Sequence, residues 1–204
     1  SSEEIKSALI QSMADGYRPT LAFVFISIKQ DRKAVCTMLD EMGIDVIGAT
    51  SAGEFTDGHQ SEGASVIMLL DIPKEDYSIF FETIGDGSSE VTARQLGEVA
   101  LRQFNHPAII FCSTFFSAEG IAIDGETLMR NIENVVGSQV NIFGGMAGDD
   151  LSFTGSYVFT NNDATDYGLV ALIVDADKIA MQGMAISGWK PMGISRTITK
   201  SEGN

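Results

Sequence analysis

Cysteine is nearly absent from this sequence, and what is missing narrows the function before any motif is read. Cys36 and Cys112 are the only two. One falls in a predicted helix and the other in a predicted apolar strand, so both read as buried, reduced thiols of a cytosolic protein. No CxxC or HxxxH spacing occurs, so no metal site is spelled out. The two histidines are His59, in the polar stretch Asp57–Glu62, and His106, just before Pro107. They leave Ser51, Ser113 and Cys112, the nucleophile types present, without a neighbouring base in sequence. Basic residues are few: 13 Lys and Arg stand against 28 Asp and Glu, for a net charge of −15. With no basic cluster, nucleic acid and anionic lipid are excluded as expected partners. The longest apolar run, Leu21–Ile28, is far short of the ~20 residues that span a bilayer. The start, SSEEIKSALIQ, has neither the basic nor the apolar region of a signal peptide. Phosphate loops of the GxGxxG and GxxxxGK[ST] types are absent too. The acidic pairs Asp149-Asp150 and Asp163/Asp166 lack Ca²⁺-loop spacing and read as solvated turns.

What is present is ordinary globular material, 44% apolar and 20% charged, with 21 glycines. It is arranged twice over. In the first half, Ile5, Leu9 and Met13 recur at helical spacing before Gly16, and Leu21–Ile28 is a strand-length run. Asp31 can cap a helix carrying Val35, Met38, Leu39 and Met42, which Gly43 stops. A strand Asp45–Gly48 leads into Ala49-Thr50-Ser51-Ala52-Gly53-Glu54. Strands near Ala64–Asp71 and Tyr77–Ile84 follow, with Pro73 and Lys74 in the turn. In the second half, Ser88 can cap a helix with Leu96, Val99, Ala100 and Phe104 inward, and Pro107–Ser113 is the buried strand. Asp124 can cap a helix bearing Leu128, Ile132, Val135 and Val136, closed by Gly137. A strand Val140–Phe143 leads into Gly144-Gly145-Met146-Ala147-Gly148-Asp149. An inserted strand near Ser152–Thr160 precedes Gly168–Asp175 and Ile179–Ser187. Ala52-Gly53-Glu54 matches Ala147-Gly148-Asp149, and Val66-Ile67-Met68-Leu69 matches Val170-Ala171-Leu172-Ile173.

The expected fold is therefore α/β (α+β): two similar α-β-α-β-β-β halves, about 1–86 and 87–189, related by a pseudo-twofold within one domain over 1–204. Two stacked mixed β-sheets flanked by helices, an αββα sandwich, would cover every apolar face. Residues 190–204 are expected to form a terminal strand and an exit linker. The absence of an initial Met and the polar end at Lys200–Asn204 lead us to expect a piece of a longer protein.

The two Gly-rich turns are the leading site candidates. Small residues after a strand let a ligand approach the backbone, and exposed N–H groups there can hold a carboxylate. This selects Thr50, Ser51, Gly53 and Glu54 in one half, and Gly144, Gly145, Gly148 and Asp149 in the other. A simpler reading leaves Gly53 and Gly148 as backbone hinges and the acids as turn caps. Ser113 and Thr114, at a strand's carboxyl end, are further polar contacts, with Phe115 and Phe116 as walls.

Three stretches resemble the FIST family (F-box and intracellular signal transduction), specifically its N-terminal domain. Gly48-Ala49-Thr50-Ser51-Ala52-Gly53-Glu54 is similar to that family's first glycine turn, with Ala49 where Cys often stands. Phe143–Asp149 is similar to its second. Gly188-Trp189-Lys190-Pro191-Met192-Gly193 followed by Arg196–Asn204 resembles its end. Together these motifs span about Thr20 to Asn204. The resemblance implies a cytoplasmic, non-catalytic sensory domain, most familiar from bacteria, that binds an amino acid or similar small metabolite. It also implies a following FIST C-terminal domain, absent here, and output through a histidine kinase, diguanylate cyclase or chemoreceptor. No cofactor is expected. A haem-based nitric oxide sensor using His59 or His106, and a protein-interaction module without a ligand, remain as alternatives. A hydrolase built on Ser51 or Cys112 is the enzymatic alternative.

Overall fold

The computed structural model describes residues 2–85, 88–184, 188–200 and 202. Four helices and two mixed sheets stack as α, β, β, α. The first half runs α1 (Ser2–Ser12), β1 (Leu21–Ser27), α2 (Arg32–Glu41), β2 (Asp45–Ser51), the hairpin β3 (Glu54–Thr56) and β4 (His59–Ser61), β5 (Ser65–Leu70) and β6 (Tyr77–Thr83). The second runs α3 (Ser89–Gln103), β7 (Pro107–Ser113), α4 (Gly125–Val136), β8 (Ile142–Met146), β9 (Val158–Phe159), β10 (Ala164–Thr165) and β11 (Gly168–Asp175).

The expected caps are in place. Asp31 accepts from the Ala34 N–H at 3.0 Å, Ser88 from Val91 at 3.3 Å, and Asp124 from Glu126 at 3.1 Å. Each satisfies an otherwise orphaned first-turn donor. Gly43 and Gly137 end α2 and α4 at φ +73° and +89°, which a side chain would resist.

One sheet has the order β10-β9-β2-β1-β5, the other β6-β11-β7-β8. In each, a parallel pair (β1/β2, β7/β8) is flanked by an antiparallel strand (β5 on β1, β11 on β7). This is the internal repeat in three dimensions. β1 and β7 are apolar on both faces because both are covered. Ala22, Val24 and Ile26 pack under α1 and α2 with Leu9, Val35 and Leu39. Leu21 and Phe23 meet Ala108, Cys112, Val170 and Leu172 of the facing sheet. Ile109 and Phe111 pack under α3 and α4 with Leu96, Leu128 and Ile132.

Several expected boundaries change. β2 runs on through Ala49-Thr50-Ser51, and β8 begins at Ile142 and continues through Gly144-Gly145-Met146, so both glycine-rich stretches start as strand. Pairing with β1 and β7 supplies the hydrogen bonds that local propensity does not. The hairpin β3/β4 occupies a stretch expected to be loop, and the short strand β10 falls where none was expected. The strand expected over 152–160 shrinks to Val158–Phe159. Asp150, Leu151 and Phe153, at φ +54°, +58° and +54°, cannot hold extended backbone. The strand expected over Ile179–Ser187 does not form in residues 179–184; residues 185–187 lie outside those described. Ile179 and Met181 instead pack on the inter-sheet core, and the Asn141 amide donates to the Met181 carbonyl at 3.3 Å. The terminal strand expected after residue 190 is likewise absent from the described residues, which are exposed and paired with no sheet edge; 201, 203 and 204 lie outside them.

Candidate functional site

β1 and β2 are parallel, as are β7 and β8, so the two halves bring four carboxyl-terminal strand ends together between the sheets. A cleft of about 470 Å³ opens there. Phe23, Phe25, Ile110, Cys112 and Met146 supply its apolar walls; Thr50, Ser51, Gly144, Gly145 and Gly148 are the expected residues it brings together. Phe25, 39% exposed, is an aromatic on an inner face that the opposite sheet leaves uncovered. Cys112 also faces this space, but burial pushes its thiol up to about 11, so it stays neutral and poorly nucleophilic. Sequence patterning does not single out Phe23, Phe25, Ile110 or Met146, and it offers Cys112 only as a candidate nucleophile, not as a wall. In strands apolar on both faces, nothing in the run marks which residues line an opening.

The two turns meet back to back. The Gly148 N–H donates to the Thr50 carbonyl at 2.8 Å, and the Asp150 N–H donates to that of Ser51 at 3.2 Å. A Cβ on Gly148 would sit 2.8 Å from the Ala52 nitrogen, so only glycine permits this contact. Gly53, at φ +121°, turns the chain outside the cleft.

Both acids are occupied by their own turns. Glu54, buried, accepts from the Ser51 hydroxyl at 2.6 Å and the Ala64 N–H at 2.9 Å. Asp149 Oδ2 accepts from the Thr154 N–H at 2.8 Å, the Ser152 hydroxyl at 3.2 Å and the Gly155 N–H at 3.4 Å. Neither lines the cleft. Thr50 also carries a structural duty, since its Oγ1 accepts from the Tyr157 N–H at 2.8 Å.

Ser113 points elsewhere. It lines a second cavity, about 190 Å³, on the helix-facing side of β8, with Phe111, Gly125, Met129, Gly144, Gly145 and Met146. Thr114 is tied to Gly168, and Phe115 and Phe116 line neither cavity. His59 is exposed on β4, and His106 is exposed beside Asp177, whose hydrogen bond and charge raise its pKa. Neither histidine lines either cavity. Among the described residues no group of three or more His, Cys, Asp or Glu is arranged to hold a metal ion, and no helix is long and apolar enough to cross a membrane. Trp189 is 92% exposed.

Against known proteins, the model of the FIST N domain family matches residues 20–204. No curated protein matches the chain.

Proposed function

Because this chain belongs to the FIST family, whose domains are sensory units of signal transduction, we propose that it is a non-catalytic sensor whose small ligand sits in the cleft between its two sheets. The observation that carries this reading is that the cleft is lined from both halves at the point where Gly148 packs on Ala52. A ligand bridging the sheets favours one relative placement of them over another, and that differential affinity is what a signal requires.

The lining favours a ligand with an apolar body and a small polar end, such as an amino acid with an apolar side chain. Glu54 and Asp149 are committed to their turns, so backbone groups and the Thr50 and Ser51 hydroxyls are the proposed polar contacts. In this reading the protein acts in the cytoplasm. The signal passes through a FIST C-terminal domain to an output such as a histidine kinase, diguanylate cyclase or chemoreceptor.

A thermal-shift screen of the amino acids, with haemin included, tests it. A ligand at 100 times its Kd adds about 2.7 kcal/mol, a rise of roughly 5–10 °C in Tm for a chain of this size. Gly145 faces the cleft opposite Cys112, and a Cβ there meets nothing within 4 Å. Gly145→Val should therefore fold and abolish the shift. A shift that survives Gly145→Val puts the ligand elsewhere. A Soret band on haemin addition, lost in His59→Ala or His106→Ala, replaces this reading with the haem one.

A further inference from the structure

The two halves differ at one place where the repeat says they should match. Crossing the sheets strand by strand, the first half has the row Phe159, Gly48, Val24, Ile67, and the second has Gly144, Phe111, Ala171. The rows correspond, because Ile67 and Ala171 hold the same place in the repeated strands β5 and β11. In the first half the space over Gly48 is filled by the Phe159 ring, which a Cβ at Gly48 would approach to 2.2 Å. Among the described residues no strand lies beyond β8, so the second half has no counterpart of Phe159 itself. The ring beside Gly144 is that of Phe111 on β7, which a Cβ at Gly144 would approach to 3.0 Å, and a cavity opens next to the two.

Two further exchanges change the chemistry of that cavity. Aligning the helices on their caps, Asp31 with Asp124, sets Arg32 against Gly125. Arg32 lies over the Tyr157 and Phe159 rings at 4.5 and 5.5 Å, whereas the corner at Gly125 holds the unbranched Met146 side chain and borders the cavity. Advancing one row along the strands sets Ile26 against Ser113. Ile26 is a fully buried apolar floor; Ser113 is equally buried, at 0% exposed, and its hydroxyl has no hydrogen-bond partner among the described residues. An unsatisfied buried hydroxyl is destabilising, so a group that completes it gains what the apo protein loses.

We propose that the cavity beside Gly144 binds a small aromatic molecule with a hydroxyl or N–H on its ring edge, the ring lying among Phe111, Met129 and Met146 and the polar atom meeting Ser113 Oγ. The volume, about 190 Å³, exceeds the roughly 150 Å³ of an apolar cavity that admits benzene. A side chain at Gly144 is excluded, since its Cβ would sit 2.5 Å from the Phe111 carbonyl and 3.0 Å from the Phe111 ring. Met129 and Met146 are unbranched, adaptable walls. Met146 is 40% exposed and its sulfur lies at the α4 N-terminus beside Gly125, so its displacement opens the path to Ser113. This site lies on the opposite face of β8 from the inter-sheet cleft and does not depend on the reading of that cleft.

The test uses the whole chain with its nine methionines labelled at the ¹³C-methyl group, titrated with phenol, indole and toluene to millimolar concentration. Ring-current shifts are expected at the Met129 and Met146 methyls, and Met68, on the other sheet, should stay still. Phe25→Ala, at a wall of the cleft that is not part of this cavity, should leave these shifts in place, which separates this site from the cleft. Ser113→Ala should weaken phenol binding by roughly two- to tenfold, the worth of one hydrogen bond, and leave toluene unaffected. Unmoved Met129 and Met146 signals overturn the proposal on the wild-type protein alone. Equal losses for phenol and toluene in Ser113→Ala overturn the role of the hydroxyl.

Discussion

Gly48 and Gly144 each leave room for an aromatic ring from the strand beside them, Phe159 over the one and Phe111 over the other. Over Gly48 the ring of Phe159 occupies the position a Cβ would take, at 2.2 Å, so Gly48→Ala forces either the ring or β2 to move. Overpacking of this kind costs about 1–3 kcal/mol. The urea midpoint of Gly48→Ala should fall accordingly at unchanged slope. A midpoint equal to wild type would mean that β9 shifts freely and that Phe159 is not held firmly over Gly48. At this scale the acids of the two triplets are instructive as well. Glu54 and Asp149 are visible in the sequence as a matched pair, and the duties they perform are indeed alike. Each gathers the N–H and hydroxyl donors of its own turn. Their spacing alone does not say whether the donors come from the chain or from a ligand, because a carboxylate accepts equally from either.

Elements are joined by contacts that periodicity does not contain. His106, before β7, and Asp177, after β11, form an exposed pair at 2.9 Å, next to the Ala176 N–H donating to the His106 carbonyl at 2.8 Å. The Asp177 hydrogen bond and then its charge hold the His106 pKa above the ordinary value. A raised folded pKa contributes stability that is fully present below the unfolded value, about 6.5, and fades as pH rises through the folded one. Wild type and Asp177→Asn should therefore differ in urea midpoint more at pH 5 than at pH 9. In the variant, the His106 ring should titrate nearer its unperturbed value by NMR; a difference that grows with pH would reverse the assignment. The helices α2, α3 and α4, by contrast, are legible nearly to the residue, whereas α1 ends at Ser12, short of the Gly16 expected to stop it. Asp31, Ser88 and Asp124 announce their starts, and Gly43 and Gly137 their ends, because caps act within a single turn. So are β1, β7 and β11, whose apolar runs are long and bounded. The glycine stretch of β8 is not legible, since its strand is decided by β7, a partner distant in sequence, and the local hairpin β3/β4 is hidden because its mostly polar residues lack the apolar alternation that marks a strand. The candidate cleft divides the same way. Its glycine turns can be read directly, whereas its walls, Phe25 and Cys112, depend on which face of a two-faced strand the second sheet leaves open.

At the level of the molecule, the halves exchange strands. β6 follows β5 in the first half but pairs with β11 in the second sheet, and β9 of the second half pairs with β2 in the first. The exchange is tied at both ends. The Tyr77 hydroxyl, at the start of β6, donates to Asp45 at 2.8 Å, and the Thr50 N–H donates to the Tyr157 carbonyl at 2.9 Å. A half taken alone thus keeps its helices and loses what covers its sheet. In residues 1–86, β6 has no β11 to pair with, Gly48 has no Phe159 above it, and the inner faces of Leu21, Phe23 and Ile47 lack Val170 and Leu172. A chain that short is already marginal for a core of its own. The isolated fragment 1–86 should show no cooperative urea transition and no dispersed amide spectrum. Mixing it with 87–204 should restore both, because the interlocking strands supply each sheet's missing edge. Cooperative folding of 1–86 by itself would mean that the exchanged strands are accessories. The cleft between the sheets would then be a joint between two independent bodies rather than a seam within one core.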